Sequence, residues 1–144
     1  MPNKSLLSLL NDLPIHWDCP ASLADLSINS IQFDSRNVTS GDLFVAMTGG
    51  TTDGHQYIPA AVEKGAVAIV GTSMSVSVPV PYIHVEDARE ALAHLAAGFY
   101  DHPARKMTVI GVTGTDGKTT TSNLIYNILA AAGIPTGMIS TVNA

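Results

Sequence analysis

The stretch Gly111-Val112-Thr113-Gly114-Thr115-Asp116-Gly117-Lys118-Thr119-Thr120-Thr121 lies between an apolar run and a segment of helical pattern. Residues 107–112 (MTVIGV) read as a strand, 113–117 as a glycine-rich turn, and 118–132 as a helix with Gly133 as its cap. A strand that turns on glycines into a helix is the setting of a phosphate-binding loop. Gly114 and Gly117 let the backbone turn tightly and approach oxygen atoms closely. Amides at the helix start, helped by the helix dipole, point at bound phosphates. Lys118 adds a point charge near the outer phosphates, and the Thr119 hydroxyl can ligate Mg²⁺. Residues 138–142 are a candidate second strand, which completes a β-loop-α-β unit and makes the fold class α/β with a parallel sheet.

The match to G-x-x-x-x-G-K-[ST] is imperfect, because Val112 stands where that pattern wants glycine. Asp116 places a carboxylate inside the loop, where it would repel a nucleotide. Its side chain is expected to point away from the phosphates, toward solvent or a backbone amide. A purely structural glycine turn would have no need of Gly-Lys-Thr-Thr in register at the helix start.

Upstream, residues 5–10 read as a short helix with Leu6, Leu7, Leu9 and Leu10 on its apolar side. Residues 28–34 alternate as a half-buried strand does, and 42–47 (DLFVAM) form an apolar run opened by Ser40-Gly41. Residues 49–54 are a polar, glycine-rich loop. Ile58, Ala61 and Val62 then recur at helical spacing up to a cap at Gly65. Strands follow at 66–70 and 82–85, separated by a Ser/Pro-rich loop, and a helix at 86–100 carries Ala88, Leu92, Leu95 and Phe99. The order strand, helix, strand, strand, helix describes a small α/β domain at 1–103, with a second unit at 104–144 after the boundary phrase Asp101-His102-Pro103-Ala104.

The net charge of −5, with no basic cluster, argues against a nucleic-acid partner. The N-terminus lacks the features of a signal peptide, and no apolar stretch approaches the roughly 20 residues of a membrane span. A soluble, cytoplasmic protein without membrane insertion is the expectation. Cys19 is alone, so no internal disulfide framework exists. The five histidines show no ligand spacing. By themselves, Asp34-Ser35-Arg36 and Asp53-Gly54-His55 read as turns, Asp34 capping one and pairing with Arg36.

Taken together, these motifs resemble the Mur ligase family of peptidoglycan synthesis. The run Asp34-Ser35-Arg36-Asn37-Val38-Thr39-Ser40-Gly41-Asp42-Leu43-Phe44-Val45-Ala46 is similar to that family's D-S-R-x-V-x-x-G-D-L-F-V-A. Gly49, Asp53-Gly54-His55, Ala60-Ala61 and Gly65-Ala66 continue it, and T-G-T-x-G-K-T-T-T follows at the right distance. The likeness covers nearly the whole chain from about residue 28. Thr113 to Thr115, Thr119 to Ser122 and the run from Gly137 to Val142 look more like the member that adds the third stem-peptide residue than the one that adds D-Ala-D-Ala. Asp116 departs from the usual asparagine, which bears on the loop's fine geometry.

The resemblance implies roles. Phe33, Ser35, Gly50, Thr51 and Thr52 would hold the uridine-diphosphate end of UDP-MurNAc-L-Ala-D-Glu. Gly114, Thr115, Asp116, Gly117, Lys118, Thr119 and Thr120 would hold ATP, with Thr119 on Mg²⁺ and Lys118 as the catalytic residue. The implied reaction transfers the γ-phosphoryl group to the D-Glu carboxylate. The acyl phosphate is then attacked by diaminopimelate or lysine, with catalysis by positioning and charge neutralisation.

The 26 residues after Lys118 contain no charged side chain, so no downstream carboxylate can serve Mg²⁺. Leu124, Ile125, Ile128, Leu129 and the alanines 130–132 cover most of their helix, and a helix apolar nearly all round belongs inside a larger body. These features lead to the expectation of a truncated ATPase domain, inactive alone. A D-Ala-D-Ala-adding relative and a non-catalytic UDP-sugar-binding module are the competing readings.

Overall fold

A computed structural model describes residues 3–18, 26–50, 52–74 and 76–140. The chain divides into two compact units, Met1–Lys106 and Met107–Ala144.

In the first unit the order is β1 (Lys4–Ser5), α1 (Leu6–Asn11), β2 (Trp17–Asp18), β3 (Ser27–Ile28), β4 (Ser30–Gln32) and β5 (Asp42–Ala46). After a 3₁₀ turn at Gly54–Tyr57 come α2 (Ile58–Glu63), β6 (Ala68–Gly71), β7 (Tyr82–Val85) and α3 (Ala88–Phe99). The main sheet runs β2-β7-β6-β5-β4, and β1 pairs with β3 in a separate ladder. Strands β4 to β7 are parallel, and β2 closes one edge antiparallel to β7.

The apolar run of β5 is buried at every position, as in a parallel sheet covered on both faces. Its alternation sorts the core. Leu43 and Val45 join Leu6, Leu9, Leu10, Ala91, Leu95 and Phe99 of α1 and α3 on one face. Phe44 and Ala46 join Ile58 and Ala61 of α2 on the other. The register Leu43↔Ala68, Phe44↔Ile69 keeps both sets in step, and a slip of one residue would exchange the faces. Gly41 enters β5 at φ +89, where an added Cβ would lie 2.1 Å from Asn29 Nδ2. Only glycine fits both that angle and that approach.

The structure revises several boundaries. The stretch 28–34 is not one strand: β3 and β4 pair with different neighbours, and the chain leaves the sheet after Gln32. In α1, Leu7 is exposed while Leu6, Leu9 and Leu10 are buried. Leucines at positions 6, 7, 9 and 10 cannot all face one side of a helix turning every 3.6 residues. The third helix starts at Ala88, because the Asp87 carboxylate accepts from the Arg89 and Glu90 amides at 2.8 and 3.1 Å and caps it there. No periodic signal marked β1 or β2, which are two residues each.

The second unit is α4 (Lys118–Ala131) between two stretches without strand. Residues 107–112 were expected as a strand and 138–142 as another. Among the described residues neither stretch forms a ladder, and Thr141 and Val142 lie outside them. Two short strands and one helix cannot cover a sheet on both faces, and an uncovered pair is marginal in water. Accordingly, Val109 and Ile110 are exposed, and α4 contains no buried residue.

Candidate functional site

The turn before α4 forms as its glycines require. Gly117 adopts the left-handed conformation (φ 74, ψ 0) immediately before α4, and Gly114 has φ +148. The first turn of α4 closes through the Thr121 amide on the Gly117 carbonyl at 2.9 Å. The helix-start amides have no side-chain cap, which leaves donors open for an anion. Lys118 curls back over the loop, its Nζ donating to the carbonyls of Gly114 at 2.6 Å and Thr115 at 2.9 Å. The ammonium is therefore folded back over the turn, while the residue stays exposed to solvent. Thr115, Asp116 and Thr120 are exposed, and Thr119 is half-buried. Among the described residues the Asp116 carboxylate forms no ion pair.

The residues expected to hold the uridine end follow strands at one edge of the first unit's sheet. Phe33 to Ser35 follow the carboxyl end of β4, and 47–52 follow the carboxyl end of β5. Ligands of open parallel sheets bind outside that edge. Phe33 is 62% exposed, a large apolar ring standing in solvent. Ser35 is half-buried, and its carbonyl accepts from Lys64 Nζ at 3.1 Å, as does that of Arg36 at 2.9 Å. Asp34 holds Arg36 through Nε at 2.9 Å and Nη2 at 2.6 Å. Hydrogen bonds from the Arg36 side chain and then its amide push the Asp34 carboxyl down to about 2. The 48–54 loop closes on itself, with Gly49 N donating to Thr52 O and Gly54 N to Met47 O, each at 2.8 Å. Gly50 and Thr52 are exposed on it; Thr51 lies outside the described residues.

The sheet thus places Phe33, Ser35, Gly50 and Thr52 on one edge, while Gly114 to Thr120 span the turn and first residues of α4 in the other unit. No hydrogen bond among the described residues links Phe33 or Ser35 to the 50–52 tip. Sequence reasoning missed the framework under that tip. His55, read there as a turn residue, bonds both Asp53 and Thr72, and the Tyr82 hydroxyl accepts from the Ser73 amide at 3.0 Å. Burial raises the Tyr82 pKa, with the Ser73 contact acting the other way. The available signal was the Asp-x-His spacing, which puts an imidazole within reach of a capping carboxylate.

Residues 27–100 match the family described as Mur ligase family, catalytic domain, and residues 112–144 match the Mur ligase middle domain. The chain is 49% identical over 138 residues to a UDP-N-acetylmuramyl-tripeptide synthetase of Roseiflexus sp. (strain RS-1), covering 93% of this chain and 27% of that protein. It is 48% identical over 120 residues to a UDP-N-acetylmuramoyl-L-alanyl-D-glutamate--2,6-diaminopimelate ligase of Bacteroides fragilis, covering 82% and 25%. Among solved structures, it is similar to MurF from Acinetobacter baumannii at TM-score 0.67 and 27% identity, covering 91% of this chain and 28% of that one. It is also similar to the MurF ligase of Thermotoga maritima in complex with ADP at TM-score 0.57 and 36% identity, covering 71% and 23%. The chain spans about a quarter of the length of the curated relatives it matches. Two family matches in chain order, each over a unit whose loop geometry suits its motif, establish that the chain belongs to the Mur ligase family.

Proposed function

We propose that this chain is part of an ATP-dependent ligase that adds the third stem-peptide residue, diaminopimelate or lysine, to UDP-MurNAc-L-Ala-D-Glu. The observation that carries it is the Lys118 ammonium seated over the Gly114–Thr115 turn at an uncapped helix start. The names of the Roseiflexus and Bacteroides relatives support the third-residue assignment. In this reading residues 1–103 are the substrate domain and 104–144 begin the ATP domain. Nucleotide-linked substrates fit a cytoplasmic setting, and among the described residues no helix is long and apolar enough to cross a membrane.

ATP and Mg²⁺ suit the residues present: the amides from Gly114 to Thr120 would cradle phosphates, and the Thr119 hydroxyl sits at the helix start where a metal ligand is wanted. ATP supplies the phosphoryl group that activates a carboxylate for amide formation, and Mg²⁺ neutralises phosphate charge. The Lys118 ammonium, held beside the turn by two carbonyls, would pair with phosphate oxygens there, its charge already in place. Phe33 offers a flat face for a base, and Ser35 a hydroxyl at the sheet edge. The Asp34–Arg36 pair keeps that turn in shape.

Binding separates this from its competitor. The likeness to MurF structures favours a second reading, the D-Ala-D-Ala-adding ligase, whose acceptor already carries a tripeptide. Calorimetry should show UDP-MurNAc-L-Ala-D-Glu binding the 144-residue chain at least as well as the corresponding tripeptide precursor. A clear preference for the tripeptide would favour the second reading. With ATP, Mg²⁺ and either diamino acid, these 144 residues alone should form no tripeptide product, because no carboxylate follows Asp116 to serve Mg²⁺, and detectable turnover would overturn that expectation.

A further inference from the structure

The His55 ring is the one side chain among the described residues that ties the 48–54 loop across to the end of β6. Its Nδ1 lies 2.6 Å from Asp53 Oδ1, and its Nε2 lies 3.1 Å from the Thr72 amide nitrogen. A backbone amide can only donate, so Nε2 is the acceptor and carries no proton. The proton is therefore on Nδ1, directed at Asp53. The contact between His55 and Asp53 is a hydrogen bond from a neutral imidazole, not an ion pair, because an imidazolium would turn a second N–H against Thr72.

The surroundings are shaped for this ring. The side chain is only 13% exposed. Gly71 makes room: a Cβ there would lie 2.8 Å from His55 Nε2 and 2.5 Å from the Tyr82 hydroxyl. Asp53 Oδ1 also accepts from the His55 amide at 3.0 Å, and Thr48 Oγ1 stands 3.4 Å away. Arg89, at the start of α3, donates to the Thr48 carbonyl at 3.3 Å. The base of the loop is thus fixed, while the tip at Gly50 has open space around it.

We infer that His55 is a positioning residue: through the chain Asp53–His55–Thr72 it holds the loop base at the end of β6 and so sets where Gly50 and Thr52 stand for the nucleotide at the carboxyl edge. The inference rests on the reading of that tip as part of the uridine-nucleotide site. It does not place His55 in contact with substrate. A loop whose base is fixed before the ligand arrives loses less freedom on binding, which appears as affinity.

The test uses the full chain and UDP-MurNAc-L-Ala-D-Glu as probe. In the wild type, long-range ¹⁵N–¹H spectra of the imidazole should show protonated Nδ1 and bare Nε2. His55→Ala should weaken binding by about tenfold or more through lost preorganisation, with cooperative unfolding retained. His55→Gln, whose carbonyl oxygen can accept from Thr72, should recover most of that loss, which a role in packing alone would not produce. Binding of His55→Ala within about twofold of wild type, or a ring protonated on Nε2, would overturn the inference. If His55→Ala does not fold, the tautomer and the glutamine variant decide the matter. Should the wild type fail to bind the probe, the proposed function falls, while the tautomer still decides whether the tether exists.

Discussion

Residues 66–70 (AVAIV) and 107–112 (MTVIGV) are both short apolar runs of the kind that forms buried strands, yet they end differently. The first contributes β6, hydrogen-bonded to β5 and β7 and buried throughout. The second makes no ladder among the described residues and leaves Val109 68% exposed. The helices repeat the contrast. Every third or fourth residue of α3 is buried against the sheet, whereas α4 buries none. Apolar pattern specifies which face should be covered; only ladder partners and covering helices turn that pattern into a strand or a docked helix.

The largest effect that could break this comparison is on the core. Phe44→Ala removes a side chain 1% exposed between sheet and α2, and should destabilise the first unit by about 3–5 kcal/mol. Ile128→Ala, in the exposed α4, should change stability by less than about 0.5 kcal/mol. Urea unfolding followed by Trp17, the single tryptophan, reads the first unit directly. Comparable losses for the two variants would remove the distinction between the units.

Next in size is a separation of function from stability. Lys118→Ala should lower affinity for Mg²⁺–ADP by about tenfold or more, the scale of one charge-assisted contact. It should leave the Trp17 unfolding midpoint unchanged. An unaltered affinity would mean that the ammonium over Gly114 and Thr115 is a loop staple and nothing more.

Glycines sharpen the contrast further. Gly41→Ala forces a side chain into a left-handed position against Asn29 and should cost more than about 1 kcal/mol. Gly137→Ala, with open space around it, should stay within about 0.5 kcal/mol.

The smallest expected effect is acid sensitivity at the Asp34–Arg36 turn. Its carboxyl is depressed from 3.8 to about 2, so the folded form favours the ionised state. The stabilisation is complete above about pH 4–5 and is lost as the pH falls through 2. An NMR titration should place the Asp34 midpoint near 2, and Arg36→Ala should move it up toward the ordinary carboxylate range. A midpoint already ordinary in the wild type would show that the turn is not held by this pair.

Much of the molecule was legible in its residues. The glycine-flanked loop and α4 follow directly from Gly114, Gly117 and the helical spacing after Lys118. The buried strands β5, β6 and β7 announced themselves as continuous or alternating apolar runs. Illegible were elements whose existence depends on partners distant in sequence. The two-residue strands β1 and β2 carry no periodicity and form only because Ile28 and Val85 stand opposite them. Conversely, 107–112 carries the pattern of a strand without finding a neighbour. At the site, the strand ends bearing Phe33, Ser35 and Gly50 were readable from their motifs. The His55 tether was not, because its second partner, the Thr72 amide, is a backbone group and leaves no mark in side-chain identity.

The two sites proposed for nucleotides, one in each unit, are best tested together in one amide-resolved NMR titration of the chain. UDP-MurNAc-L-Ala-D-Glu should shift amides at residues 33–36 and 48–54, and Mg²⁺–ADP should shift those at 113–121, with little overlap between the two sets. Absence of response to any uridine nucleotide, or both ligands perturbing the same residues, would contradict the assignment.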